Sequence, residues 1–178
     1  MRAVTAADLE AAIRTVPDFP KPGIQFKDIT PVLGDAVLFA GSIDLLAAHH
    51  ADAGIDAVVG IDARGFIFAA AAARQLNTAF VPIRKKGKLP YKTIEENFSL
   101  EYGEDTVAIH EDALKPGARV LLLDDLLATG GTARACVDLV RGAGGNVASL
   151  AFLVELQFLN GRARVGDIPM FVALQYSS

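Results

Sequence analysis

The 178-residue chain has a single cysteine, Cys136. One thiol excludes an intrachain disulfide framework and any cysteine-rich zinc site. Cys136 falls inside the helical pattern Ala133–Arg141, which marks a buried structural thiol rather than a nucleophile. No run of about 18 apolar residues occurs, which argues against a membrane span. Cations are not in excess either. The net charge is −4 and the pI is near 5.3, which argues against general nucleic-acid binding. Met1–Asp8 meets acids too early for a secretion signal, so a cytoplasmic protein is expected. Two phosphate motifs are missing as well. Nothing supplies the Walker pattern G-x-x-x-x-G-K-[S/T], and no strand is followed by G-x-G-x-x-G. There is no internal repeat and no low-complexity segment.

What is present is apolar and regular. Hydrophobic residues make up 52% and charged residues 21%, enough for one domain with a substantial core. The most informative stretch is Val120-Leu121-Leu122-Leu123-Asp124-Asp125-Leu126-Leu127-Ala128-Thr129-Gly130-Gly131-Thr132. Four apolar residues predict a strand buried on both faces, ending at the two aspartates. A loop of small residues follows, Ala128 to Thr132, and then a helix over Ala133–Arg141. This is the layout of a phosphate site in an open α/β sheet, where ligands lie beyond the carboxyl ends of strands. Gly130 and Gly131 let the backbone approach an anion closely. Amides at the helix start and the Thr129 and Thr132 hydroxyls suit phosphate oxygens. Asp124 and Asp125 suit ribose hydroxyls or a metal. The competing reading, solvated turn acids and a strand-ending Gly-Gly, explains fewer of these features together.

The rest of the chain alternates strands and helices, which predicts a mainly parallel sheet. Thr5 caps a helix with Asp8 in its first turn; the helix runs past Leu9, Ala12, Ile13 and Val16 and stops before Pro17. Pro17–Pro31 is proline-rich and poorly suited to regular structure, and its Phe19 and Phe26 cover either a core or a ligand. Asp35 caps a helix to about Ala53, with Val37, Leu38, Ile43, Leu45 and Leu46 inward. His49 and His50 sit at its polar end on different sides, so a shared metal is not expected. Ala57–Ile61 reads as a buried strand. Asp62-Ala63-Arg64-Gly65 and a helix to Leu76 follow it. Arg64 suits an anion, or pairs with Asp62 at the rim. Ala79–Ile83 is a strand whose Pro82 predicts an edge position. Arg84, Lys85, Lys86, Lys88 and Lys92 then form a basic run, either a solvated face or cations for the same anion as Arg64. Phe98–Tyr102 and Thr106–His110 alternate around Gly103-Glu104-Asp105, which predicts a mobile two-stranded flap. Strands over Val147–Val154 and Met170–Leu174 complete the chain.

These segments carry a resemblance. Val120–Thr132 resembles the phosphoribosyl pyrophosphate signature of type I phosphoribosyltransferases. Pro17–Pro31, Asp62–Phe66, Ile83–Pro90, Ser99–Gly103 and Leu174–Tyr176 resemble the adenine-specific branch of that family. The resemblance covers nearly the whole chain. It implies a parallel α/β core with an N-terminal hood over residues 1–34 and a flap over residues 84–110, all within one domain of residues 1–178. It implies transfer of the phosphoribosyl group to N9 of adenine, giving AMP and pyrophosphate, with Mg²⁺ held mainly by the substrate's oxygens. It also implies a homodimer. Carried residue by residue, it gives the 5′-phosphate to Ala128, Thr129, Gly130, Gly131 and Thr132, and the ribose hydroxyls to Asp124 and Asp125. Pyrophosphate falls to Arg64, Arg84, Lys85 and Lys88. Adenine falls between Phe26 and Leu126, its edge read by the backbone of Gln25 and Lys27. Glu101 becomes the acid/base for the purine nitrogen, with Tyr102 beside it. Ala63 stands where many relatives have serine, and Asp62-Ala63 is where the family often holds a strained peptide.

Overall fold

The computed structural model describes residues 2–99 and 104–178. The chain divides into two compact units, residues 1–45 and 46–178, with the boundary inside a helix.

In the first unit, α1 (Ala6–Ala12) begins with a full capping box. The Asp8 amide donates to Thr5, and the Asp8 carboxylate accepts from the Thr5 amide at 2.8 Å. The helix is shorter than its apolar spacing predicts. Ile13 is already extended, and Arg14–Pro17 forms β1. Ile13, Thr15 and Val16 are β-branched, and the residue before a proline avoids helical geometry, so both effects oppose further helix. β1 pairs antiparallel with β2 (Gln25–Asp28), Val16 opposite Phe26. The proline-rich segment is therefore a hairpin rather than irregular throughout. The Asp28 carboxylate accepts from the Thr30 amide at 2.9 Å and so opens α2 (Thr30–Gly34). Asp35 accepts from the Val37 and Leu38 amides at 2.9 and 3.0 Å, capping α3 (Ala36–Ala48) as expected. Val37 is nonetheless exposed, and the helix ends earlier than predicted.

The second unit carries a seven-stranded sheet. Its strands are β3 (Ala57–Ile61), β4 (Ala79–Lys85), β5 (Thr93–Ser99), β6 (Glu104–His110), β7 (Arg119–Leu127), β8 (Asn146–Leu156) and β9 (Met170–Tyr176). Their order is β5-β6-β4-β3-β7-β8-β9. Five strands run parallel, and the β5–β6 hairpin adds antiparallel at the β4 side. β4 is thus an interior strand, although it contains Pro82. Its ladder to β6 involves Arg84 and Lys85 only, so the missing Pro82 amide costs no bond there. Helix α4 (Gly65–Leu76) packs against the sheet face that carries Gly60, where a Cβ would meet Phe66 and Ala69. Helix α5 (Gly131–Gly142) lies on the other face, its Ala133, Cys136 and Val137 packed with Val59, Ile61 and Leu122. Cys136 is fully buried, and that burial raises its thiol well above the usual range. The short helix α6 (Gly161–Val165) precedes β9. Among the described residues no helix is long and apolar enough to cross a membrane.

His50 is buried rather than solvated. Its Nδ1 lies 2.8 Å from the Leu46 carbonyl and its Nε2 3.0 Å from Ser149 Oγ. His49 stacks on Phe171 with centroids 4.6 Å apart. His50 is part of the core and His49 is exposed beside it; neither lines the cleft of residues 61–64 and 124–133.

Candidate active site

The site lies between β3 and β7. From β3 the chain passes through α4 to β4 on one side, and from β7 through α5 to β8 on the other. Neighbouring strands whose connections diverge leave a crevice at their carboxyl ends. The register deepens it. β7 pairs with β3 only as far as Gly60 opposite Leu123, but continues alongside β8 to Leu127 opposite Glu155. The strand therefore does not stop at the acids, as its apolar run predicts. Asp124 and Asp125 sit within β7 where β3 has already turned away.

The result is a cleft of about 370 Å³ lined by residues 61–64 and 124–133. It brings together Arg64, both aspartates, Leu126 and the whole small-residue loop. Arg64 Nε lies 2.8 Å from Asp125 Oδ2, an ion pair across the cleft. Asp125 is 6% exposed. Asp124 keeps some surface on the cleft, but burial of its carboxyl, followed by the neighbouring Asp125 charge, pushes its pKa well above the usual range; the Asp125 amide and Arg64 oppose the shift. That amide donates to Asp124 Oδ1 at 2.9 Å. Gly65, the first residue of α4, has no room for a side chain. A Cβ there would run into Asp124 Oδ1 and lie 3.3 Å from the Asp124 Cα.

The loop turns on Gly130, which is left-handed with φ 80° and caps α5 without any side-chain bond. The helix begins at Gly131, two residues earlier than the sequence predicts. The amides of Gly131, Thr132 and Ala133 thus belong to its first turn, which has no acceptors of its own. A twelve-residue helix pointing that end at the cleft favours an anion there.

The basic run divides. Arg84 Nε donates to Asp62 Oδ2 at 3.0 Å, and its Nη1 donates to the Lys88 carbonyl at 3.0 Å. This ties the turn after β4 to the loop after β3. Asp62-Ala63 is a cis peptide. Lys85 Nζ pairs with Asp105 of β6 at 2.9 Å, and that hydrogen bond raises its pKa. Lys88 is exposed. None of these three lines the cleft of residues 61–64 and 124–133. In the first unit, Phe26 is half-buried with its ring edge-on to Phe19, centroids 5.1 Å apart. Gln25 is exposed, and Lys27 Nζ donates to Thr15 Oγ1 at 3.1 Å. Glu101 and Tyr102 lie outside the described residues.

For a divalent cation the donors are few. Among the described residues no group of three or more His, Cys, Asp or Glu side chains could hold a metal. The cleft offers two adjacent carboxylates on β7, one of them engaged by Arg64, and Asp62, which is engaged by Arg84. That set fits Mg²⁺, which keeps several waters and takes substrate phosphate oxygens beside one or two carboxylates.

A family model for the phosphoribosyl transferase domain matches residues 36–167. The chain is 56% identical to an adenine phosphoribosyltransferase of Acidobacterium capsulatum over 174 residues, 98% of this chain and 96% of the relative. Among solved structures, the adenine phosphoribosyltransferase of Thermoanaerobacter pseudethanolicus superposes with a TM-score of 0.94 at 46% identity, over 97% of this chain and 100% of that one. The enzyme of Saccharomyces cerevisiae, complexed with an imino-altritol bisphosphate and adenine, gives 0.91 at 38% identity over 95% and 98%. The chain belongs to the phosphoribosyl transferase family, and within it to the adenine phosphoribosyltransferases.

Proposed function

We infer that the chain transfers the 5-phosphoribosyl group from phosphoribosyl pyrophosphate to N9 of adenine, giving AMP and pyrophosphate, a purine-salvage reaction. The observation that carries this reading is the cleft itself, with two carboxylates on β7, the N-terminus of α5 beyond them and Arg64 opposite. The amides of Gly130–Ala133 and the Thr129 and Thr132 hydroxyls bind the 5′-phosphate, where the helix end favours negative charge. Asp124 and Asp125 bind the ribose hydroxyls.

As the C1–O bond to pyrophosphate breaks, the sugar becomes oxocarbenium-like. The two carboxylates place negative potential beside that developing cation. Arg64 sits on the opposite wall and, with Arg84, Lys85 and Lys88, balances the departing pyrophosphate. Magnesium, when bound, neutralises part of that charge. N9 of adenine attacks C1, and Glu101 takes the proton that the purine loses, with Tyr102 beside it. Leu126, and from the first unit Phe26 with the backbone of Gln25 and Lys27, are the proposed adenine contacts; these rest on the resemblance of their segments. A homodimer in the cytoplasm completes the proposal. The test is direct. The protein is mixed with phosphoribosyl pyrophosphate, Mg²⁺ and adenine, hypoxanthine, xanthine or orotate in turn. AMP from adenine alone is expected; turnover of another base without AMP formation defeats the assignment.

A further inference from the structure

Behind the phosphate loop, outside the cleft, a buried carboxylate is held by two exposed side chains. Glu155, near the end of β8, is 2% exposed. A carboxylate so enclosed must find donors, and it has three. Arg162 grips it in a fork, Nε to Oε1 at 2.7 Å and Nη2 to Oε2 at 2.9 Å. Gln175 of β9 donates to Oε2 at 2.9 Å. Arg162 is the second residue of α6. A helix of five residues has little stability of its own, so the planar fork fixes where α6 begins.

What α6 begins with is Gly161, and Gly161 touches the loop. A Cβ on Gly161 would strike the Ala128 carbonyl oxygen and come within 3.1 Å of the Gly130 amide nitrogen and the Leu127 side chain. The contact is mutual, because a Cβ on Gly130 would strike the Gly161 carbonyl oxygen. Two backbones thus rest on each other without a side chain between them. Glu155 is also the register partner of Leu127, the residue that leads into the loop. Strand end, loop and α6 are clamped together from behind.

We propose that Gly161, fixed by the Arg162–Glu155 fork, is a positioning element that sets the geometry of the Ala128–Gly131 loop and thereby the affinity for the 5′-phosphate end of the substrate. This rests on the reading of that loop as the 5′-phosphate cradle. None of Glu155, Arg162 and Gly161 lines the cleft, so their influence reaches the ligand only through the loop.

The experiment compares Gly161→Ala, Arg162→Met and Arg162→Lys in the full chain, with Thr132→Val as a variant of the loop itself. Calorimetry gives the Kd for ribose 5-phosphate and for AMP. Steady-state kinetics separates KM for phosphoribosyl pyrophosphate, KM for adenine and kcat. Misaligning one charge-assisted contact to the phosphate predicts roughly tenfold weaker ribose 5-phosphate and AMP binding in Gly161→Ala and Arg162→Met. KM for phosphoribosyl pyrophosphate should rise in step, with KM for adenine and kcat unchanged. Arg162→Lys, which keeps the charge but not the fork, should fall between and remains informative if Gly161→Ala does not fold. A purely structural role would lower the melting temperature and the active fraction while leaving the Kd of the folded molecules unchanged; that result overturns the proposal. Weakened binding in Thr132→Val alone would also overturn it while sparing the cradle. Unchanged ribose 5-phosphate binding in Thr132→Val would remove the cradle reading and the proposal with it.

Discussion

Gly65→Ala separates the chemistry of the cleft from the stability of the fold. Alanine ordinarily improves a helix by up to about 1 kcal/mol over glycine. Here the new methyl would overlap Asp124 Oδ1 and lie 3.2 Å from the carboxyl carbon. Gly65 is buried at the start of α4, so neither backbone can retreat easily. Overpacking of this kind costs about 1–3 kcal/mol. The net loss is therefore about 0–3 kcal/mol, a fall in Tm of up to roughly 12 °C for a chain of this size. The kinetic effect should be larger. Relief of the overlap requires the Asp124 carboxyl to move by about 1 Å, and misplacement on that scale costs on the order of a hundredfold. That corresponds to about 2.7 kcal/mol of transition-state stabilisation. Steady-state kinetics for phosphoribosyl pyrophosphate and thermal melting, run on the same preparation, give both numbers. A kcat/KM within twofold of the parent, in a protein with the expected Tm, would refute the assignment of Asp124 to the ribose. A kinetic loss no greater than the unfolded fraction would refute it equally.

Other perturbations address the remaining parts. Asp28 has its pKa lowered to about 2, first by the Thr30 hydroxyl and amide and then by Arg14. A depressed carboxylate stabilises the fold above its unfolded value of 3.8, so this contribution is complete at neutral pH and is lost as the pH falls from about 4 to 2. Asp28→Asn should reduce Tm by an amount that shrinks across that window, measured by circular dichroism; a constant difference would contradict it. Glu101→Gln should lower kcat by about 10²–10⁴-fold while the Kd for phosphoribosyl pyrophosphate changes little; equal turnover would end its proposed role. Chelation of Mg²⁺ should weaken binding of phosphoribosyl pyrophosphate and leave adenine binding unaffected, as read by calorimetry; a lowered Tm of the ligand-free protein on chelation would instead mean that the chain holds its own metal.

Local chemistry made much of this molecule readable in advance. Thr5 with Asp8, and Asp35 before an apolar run, are cap signals whose physics is complete within a few residues, and both caps are present. What could not be read was decided by neighbours distant in the chain. Pro82 predicts an edge only if a second ladder would need its amide, and β6 begins its ladder at Arg84. Val16 continues a helical spacing, yet it faces Phe26 across a hairpin. Glu155 reads as a polar residue closing a strand until Arg162 and Gln175 are seen around it. Gly161 reads only as the start of a turn or short helix over residues 161–166, and its close approach carries no local signal because that requirement comes from Ala128 and Gly130.

The same reasoning explains why the candidate site was half legible. Strand, acids, glycines and helix follow one another from Val120, so one wall of the cleft announces itself. The opposite wall, Asp62–Arg64, is recognisable as a strand-to-helix loop, but its pairing is not. Arg64 and Asp62 are two residues apart, and on sequence the obvious ion pair is between them. The sheet order instead sets Arg64 against Asp125 and Asp62 against Arg84. That exchange gives this one wall of the crevice two ion pairs directed at different neighbours: Arg64 reaches across to Asp125 of β7, and Asp62 reaches back to Arg84. Asp62 thereby couples the loop after β3 to Arg84 while leaving Arg64 beside the carboxylates of β7. A pyrophosphate leaving from between these walls would meet Arg64 on the cleft, with Arg84 held by Asp62 behind it. Charge reversal at Asp62 would break the Arg84 contact and leave the Arg64–Asp125 ion pair in place, so the two arginines proposed for the same anion should be separable in function.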